Sequence, residues 1–285
     1  MCFLRRLSTL CLLISPLLVG TLAAQTAQPD TKGKKDEKPE KPARQIRFLP
    51  VGDLPPFEQE IRNGIAYELP PPEGSVPPRS LVLGAEDKDK KKGGSADPAN
   101  PDQKPAEPAL RLNQLTEGFK IPEGAGPLAL RAKGDDGKAE PWLMLQRPEQ
   151  GNMLVILWRA GGNKGTWAKP SFMILPDSVE EAPAGKVRFV NVSPVTVGVA
   201  FGEEKIALLA GKTYQRPVEV GKDLPFQLGA MDAANKFTRF QRDVITQNPN
   251  ERTLVLIYRA DGEQPRRDLK SNVIREPVPG TPPVP

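Results

Sequence analysis

Histidine is absent from this chain, and its only two cysteines, Cys2 and Cys11, fall within the first eleven residues. Without imidazole there is no Ser-His-Asp relay and no zinc site of the usual kind. Should the N-terminal segment be removed, no thiolate nucleophile and no disulfide staple remain, so packed cores alone must hold the fold. A strong charge of one sign is missing as well: the formal +5 falls to about +3 without Arg5 and Arg6, too little to call for a nucleic acid partner. No G-x-S-x-G elbow or P-loop occurs, and "EGAGPLAL" has two glycines where a dinucleotide loop needs three. These absences predict no cofactor and no metal.

The opening "MCFLRRLSTLCLLISPLLVGTLAAQ" sets Arg5 and Arg6 before an apolar run from Leu7 to Val19 and ends in the small residues Ala23 and Ala24. That order is the layout of a secretory signal peptide, expected over residues 1–24 and predicting a periplasmic or extracellular protein. The run is also nearly long enough to stay in a bilayer as an anchor. Contact with membrane is otherwise not expected.

Residues 25–44 are rich in Pro, Lys and Glu with nothing apolar to bury, which predicts a disordered spacer. A second such stretch, 86–108, mixes Lys with Asp and Glu and reads as a solvated insert, and 277–285 is a Pro-rich tail. Between them, apolar residues come in short runs such as "IRFLPV", "SLVLGA", "LRLNQL", "LALRAK", "SFMIL" and "TVGVAF", separated by Pro, Gly, Asn and Asp. This spacing is that of antiparallel sandwiches or barrels. Only "PFEQEIRNG" and "DAANKFTRFQRD" suggest short helices.

Two runs are written twice. "LVILWRAGG" at 154–162 matches "LVLIYRADG" at 254–262, and "QIRFLPV" from Gln45 matches "KVRFVNV" from Lys186. "IAYEL" and "KIALL" follow as a further pair. The first copy must then carry an excess, much of which the charged insert supplies. The expectation is an all-β chain of two tandem immunoglobulin-like β-sandwich modules, 45–176 and 185–276, joined by a loose linker at 177–184, each half melting cooperatively on its own. The doubled strands are apolar on both faces, as central strands covered on both sides must be. Trp158 and Tyr258 stand at equivalent places near the edge of each core.

Candidate chemistry is thin. Asp135 with Asp136, Glu180 with Glu181 and Glu203 with Glu204 are adjacent acids in turn contexts, unlike the separated pair a glycoside hydrolase needs. "DKDKKKGG" begins like a calcium loop at Asp87 and Asp89, but lysines take the later ligand positions. "NVSP" at Asn191 fits the glycosylation pattern. One aromatic and basic cluster follows the first doubled strand: Trp158, Arg159, Lys164, Trp167, Lys169 and Phe172. A hairpin there would bring Trp167 back beside Trp158, forming an edge able to bind a sugar, a peptide or a protein.

The strands "VRFVNVSPVTVGVAF" and "LLAGKTY" resemble those of small immunoglobulin-like modules in bacterial exported proteins, without a diagnostic motif that would carry site residues across. The functional expectation is a non-catalytic binding or structural protein of the cell envelope, with an envelope protein or a polysaccharide as partner. The alternatives are a carboxylate-based polysaccharide hydrolase and an accessory subunit of an envelope complex.

Overall fold

A computed structural model describes residues 44–85, 107–122, 126–133, 140–161 and 165–278. The expected signal peptide, nearly all of the expected spacer, most of the charged insert and the end of the tail lie outside the described residues, as do Asp87, Asp89, Asp135 and Asp136. The described residues fall within one compact unit. Its secondary structure is all β, with no helix among the described residues.

The quoted repeats become paired parallel strands. β1 (Gln45–Val51) lies alongside β8 (Met153–Arg159), and β5 (Phe119–Lys120) and β9 (Pro170–Pro176) flank them in the order β5-β1-β8-β9. Later in the chain, β10 (Lys186–Asn191) lies parallel to β16 (Glu251–Arg259). β13 (Lys212–Pro217) and β17 (Leu269–Pro277) flank these in the order β13-β10-β16-β17. The register is the same in both sheets: Phe48 stands opposite Val155, and Phe189 opposite Val255. Hydrogen bonding thus reproduces the match visible in the sequence strand for strand.

Each of these sheets packs against a second. β4 (Leu81–Ala85), β6 (Leu128–Ala132) and β7 (Leu143–Leu145) form the order β4-β6-β7. β11 (Val197–Phe201), β12 (Glu204–Leu208), β14 (Asp223–Met231) and β15 (Phe237–Thr246) form the order β12-β11-β14-β15. Leu83 faces Leu130 in one as Val199 faces Leu228 in the other. Ile46, Phe48, Val155 and Leu157 meet Leu83, Leu128, Leu130 and Leu145 in the first core. Val187, Phe189, Val255 and Ile257 meet Val199, Phe201, Phe226 and Leu228 in the second, where the Phe189 ring contacts Phe201 and Phe226 edge-on. The architecture is that of two β-sandwich-like layers of sheets.

A third core joins the two. Side chains alternate along a strand, so Val155 and Leu157 fill the first sandwich while Leu154 and Ile156 point the other way. There they meet Leu49, Val51 and Leu175 from their own sheet and Val190, Val192, Leu256 and Tyr258 from the other. The doubled strands are apolar on both faces because each is covered once by its own second sheet and once by the opposite sandwich.

Several readings are corrected. "PFEQEIRNG" contains β2 (Gln59–Arg62), and "DAANKFTRFQRD" enters β15, so both helix expectations fail. The pairing of β15 with β14 from Asp223 to Met231 overrides local helix propensity. "LRLNQL" forms no strand, since Asn113 turns at φ 61° and hydrogen-bonds back to Gly52. "IAYEL" is β3 (Ile65–Glu68), which pairs only with β2, whereas "KIALL" is β12 within the four-stranded sheet. Two insertions enlarge the first half, the charged insert being part of one of them. Residues 52–80 separate β1 from β4 where 192–196 separate β10 from β11, and residues 86–118 separate β4 from β5 where 202–211 separate β11 from β13. Finally, 177–184 is no slack tether, because Asp177 and Ala182 within it are buried.

Candidate functional site

The aromatic and basic cluster does not converge. β8 and β9 pair Trp158 with Ser171 and Arg159 with Pro170, so Trp167 lies before β9 and does not oppose Trp158. Trp167 is fully buried in the first core, its N–H donating to Gly74 O at 2.8 Å, while Trp158 packs on the other face of the sheet against the third core. Arg159 is half-buried and donates to Asp261 Oδ2 at 2.6 Å. Lys169 and Phe172 are exposed. Lys164 lies outside the described residues.

These placements give opposite expectations for two aromatics. Trp167→Ala should cost about 3–5 kcal/mol through the cavity left in the first core, and Phe172→Ala less than about 1 kcal/mol. Urea midpoints of the two variants decide between a packing and a surface role. The Trp167 Nε1 has no acceptor, so Trp167→Phe should be milder than Trp167→Ala.

Charge instead concentrates between the sandwiches. Arg47 on β1 holds Asp177 through two hydrogen bonds, of 2.6 and 2.8 Å, and also bonds Glu276 on β17. Arg252 bonds Glu276 at 2.8 Å and approaches Asp177 at 3.1 Å. The doubled register puts Arg188 where Arg47 stands in the other sheet, and it binds Gln215 and the Pro176 and Glu181 carbonyls. Burial pushes the Asp177 carboxyl above the ordinary range, more than the charges of Arg47 and Arg252 pull it down. Burial also opposes ionisation of Glu276, but hydrogen bonds and charge from Arg47, with Arg252, outweigh it and leave its pKa lowered. The cavity beside this cluster is about 30 Å³, room for water and not for a sugar ring.

At the opposite end of the strands two loops clasp each other. The Asp53 N–H donates to Asp261 Oδ1 at 2.5 Å, and the N–H groups of Asp261 and Gly262 donate to Asp53 Oδ2 at 3.1 and 2.9 Å. Lys270 pairs with Asp53 as well. A Cβ at Gly262 would lie 3.1 Å from the Asp53 carboxylate, so glycine is what allows that close approach. Burial, with Asp53 and Asp261 nearby, pushes Tyr258 up to about 12. These carboxylates are arranged as ion pairs that fasten one sandwich to the other.

Asn191 corrects another reading. Its side chain is fully buried, and its amide donates to the Val195 and Leu208 carbonyls at 2.8 and 2.9 Å, so the glycosylation pattern marks a structural hydrogen-bonding residue. Glu180, Glu181, Glu203 and Glu204 stay on the exposed surface.

The surface feature that sequence reasoning missed is the arm in residues 52–80. β2 and β3 form a hairpin around Asn63 and Gly64, both at positive φ (53° and 78°), the conformation a two-residue hairpin turn demands. Every residue of both strands is exposed. Ile61 on one face is 75% exposed, and Ile65 and Tyr67 on the other are 57% and 47% exposed; Phe57 at the base is 64% exposed. An isolated two-stranded ribbon is marginal in water, and this one turns apolar side chains outward on both faces. The signal was legible as Asn-Gly between Ile61 and Ile65.

No protein-family model matches the chain, and no curated protein is similar to it.

Proposed function

We propose that this is an exported, non-catalytic contact protein of the cell envelope, built from two copies of an immunoglobulin-like β-sandwich unit locked face to face. The observation that carries the reading is the arm: four large apolar side chains on a protruding hairpin, with free strand edges. Exposed apolar groups in such a cluster mark an interaction surface, and a strand edge offers backbone hydrogen bonds to a partner's sheet. The occupant that suits both properties is another envelope protein, contacted by strand addition with Ile61 or Ile65 and Tyr67 seated in pockets. A polysaccharide would rest on the Tyr67 ring beside Glu60 and Arg62 and would leave Ile61 on the opposite face unused. Export is the reading of the first 24 residues.

A photoreactive residue at position 61 should yield a discrete crosslinked species in intact cells, and the same residue at exposed Val179 should not. Ile61→Asp with Ile65→Asp should abolish the partner contact and leave the urea midpoint within about 0.5 kcal/mol, as befits exposed sites. Equal crosslinking from both positions would defeat the reading.

A further inference from the structure

A second surface lies on the first sandwich, around Trp142. The indole Nε1 donates to Trp167 O at 2.5 Å, and Trp167 is itself fixed through its N–H to Gly74 O, so the Trp142 ring is held in place while half-buried. Two cavities share this ring. One, of about 460 Å³, is walled by Glu73, Val76, Pro78, Thr166 and Trp167; the other, of about 510 Å³, by Glu140, Pro141, Met144, Lys169 and Pro170. Ala168 is common to both. A fixed aromatic with its only polar hydrogen already used, and prolines beside it within a lining that is mostly apolar but includes Glu73, Glu140 and Lys169, suits a ligand that packs rings and needs few hydrogen bonds. Extended proline-rich segments are that kind of ligand, and they bind aromatic-lined grooves with little loss of entropy.

We infer that the groove around Trp142 takes the proline-rich segment 279–285, "PGTPPVP", of a second copy of this chain. The position of that segment decides against its own groove. Val278 is anchored by its N–H to Asn250 O, and Pro277 stands opposite Glu251 at the start of β16. Arg159 meets Asp261 while Arg47 meets Glu276, so β8 and β16 run the same way and the segment leaves at the Met153 end of β8. The groove includes Lys169 and Pro170, and Pro170 pairs with Arg159 at the other end. Seven residues of extended proline-rich chain span roughly 22 Å, and the six steps from Met153 to Arg159 consume about 20 Å of it. A neighbouring copy meets no such limit. Contact between one end of a copy and the far side of the next is heterologous, and it produces a ring or an open chain of molecules. This inference does not depend on the arm.

A synthetic peptide of residues 278–285 should change tryptophan emission saturably on the full chain. Ala168→Glu, an exposed substitution that obstructs the groove without entering the core, should weaken that binding at least tenfold, and so should Trp142→Ala. Sedimentation should show concentration-dependent association of the full chain, lost on deletion of 279–285 and reversed by the peptide. Absence of peptide binding, binding unaffected by Ala168→Glu, association that survives the deletion, or a chain that stays monomeric while binding the peptide would each overturn the inference.

Discussion

Expressed separately, polypeptides 44–184 and 185–278 should each self-associate or aggregate, and mixing them should restore a soluble one-to-one complex. Separation would expose Leu49, Val51, Leu154, Ile156 and Leu175 on one piece and Val190, Val192, Leu256 and Tyr258 on the other. Full burial of such a side chain is worth about 1.5–3 kcal/mol relative to exposure. Five or four of them on one contiguous face give each piece a patch of the sort found in permanent interfaces. The charges act in the same direction, because Arg47 would keep Asp177 but lose Glu276, and Arg159 would lose Asp261. Reading the sequence alone leads to the opposite expectation, two halves melting independently. Size-exclusion with light scattering on each piece and on the mixture decides between them: two monomeric halves with no gain in stability on mixing would show that the third core contributes little.

The difference between these expectations shows where the sequence stops. That "LVILW" and "LVLIY" are central strands was legible, because nothing but cover on both sides tolerates five apolar residues in a row. What covers the second face was not legible, since Leu154 and Ile156 would read the same beneath a helix, a partner or the other sandwich. The identical register of β1 on β8 and β10 on β16 follows the matched residues, so repetition in sequence foretold pairing in space. The site was harder. Trp167 and Trp158 lie nine positions apart around a glycine-rich turn and suggest a hairpin neighbourhood. Three residues before β9, however, are enough to send Trp167 to the opposite face of the sheet. Likewise Leu110 is buried and Leu112 and Leu115 partly so, although no strand forms there. An apolar run reports burial more faithfully than it reports backbone shape. The arm inverts that rule, with an apolar run that is not buried at all, and such inversions are where function concentrates.

Replacing Arg47 with methionine should lower stability by about 3–5 kcal/mol near neutral pH, the scale for breaking a buried ion pair from one side. The loss comes from what remains, because Asp177 and Glu276 would share Arg252 as their ion-pair partner, with Arg188 acting on Asp177 only through its charge. The sign of the pH dependence separates this from a simple packing defect. In the natural chain the lowered pKa of Glu276 means that the fold favours its ionised form. Its contribution is therefore present above the unfolded value, about 4.3, and is lost as pH falls through the lower folded value. Asp177 acts in the reverse sense, since its raised pKa makes its protonated form the better fit and its contribution grows on acidification. Without Arg47 both carboxyls should titrate higher. Stability of Arg47→Met should then gain more on acidification than that of the natural chain, where Asp177 favours acid but Glu276 opposes it. Arg47→Met with Glu276→Gln leaves Arg252 and Asp177 as a neutral pair 3.1 Å apart, and should recover part of the loss, a coupling that a double-mutant cycle reads directly. If Arg47→Met is as stable as the natural chain at neutral pH, or if acid fails to narrow the gap, the cluster is not what fastens the two sandwiches at this end.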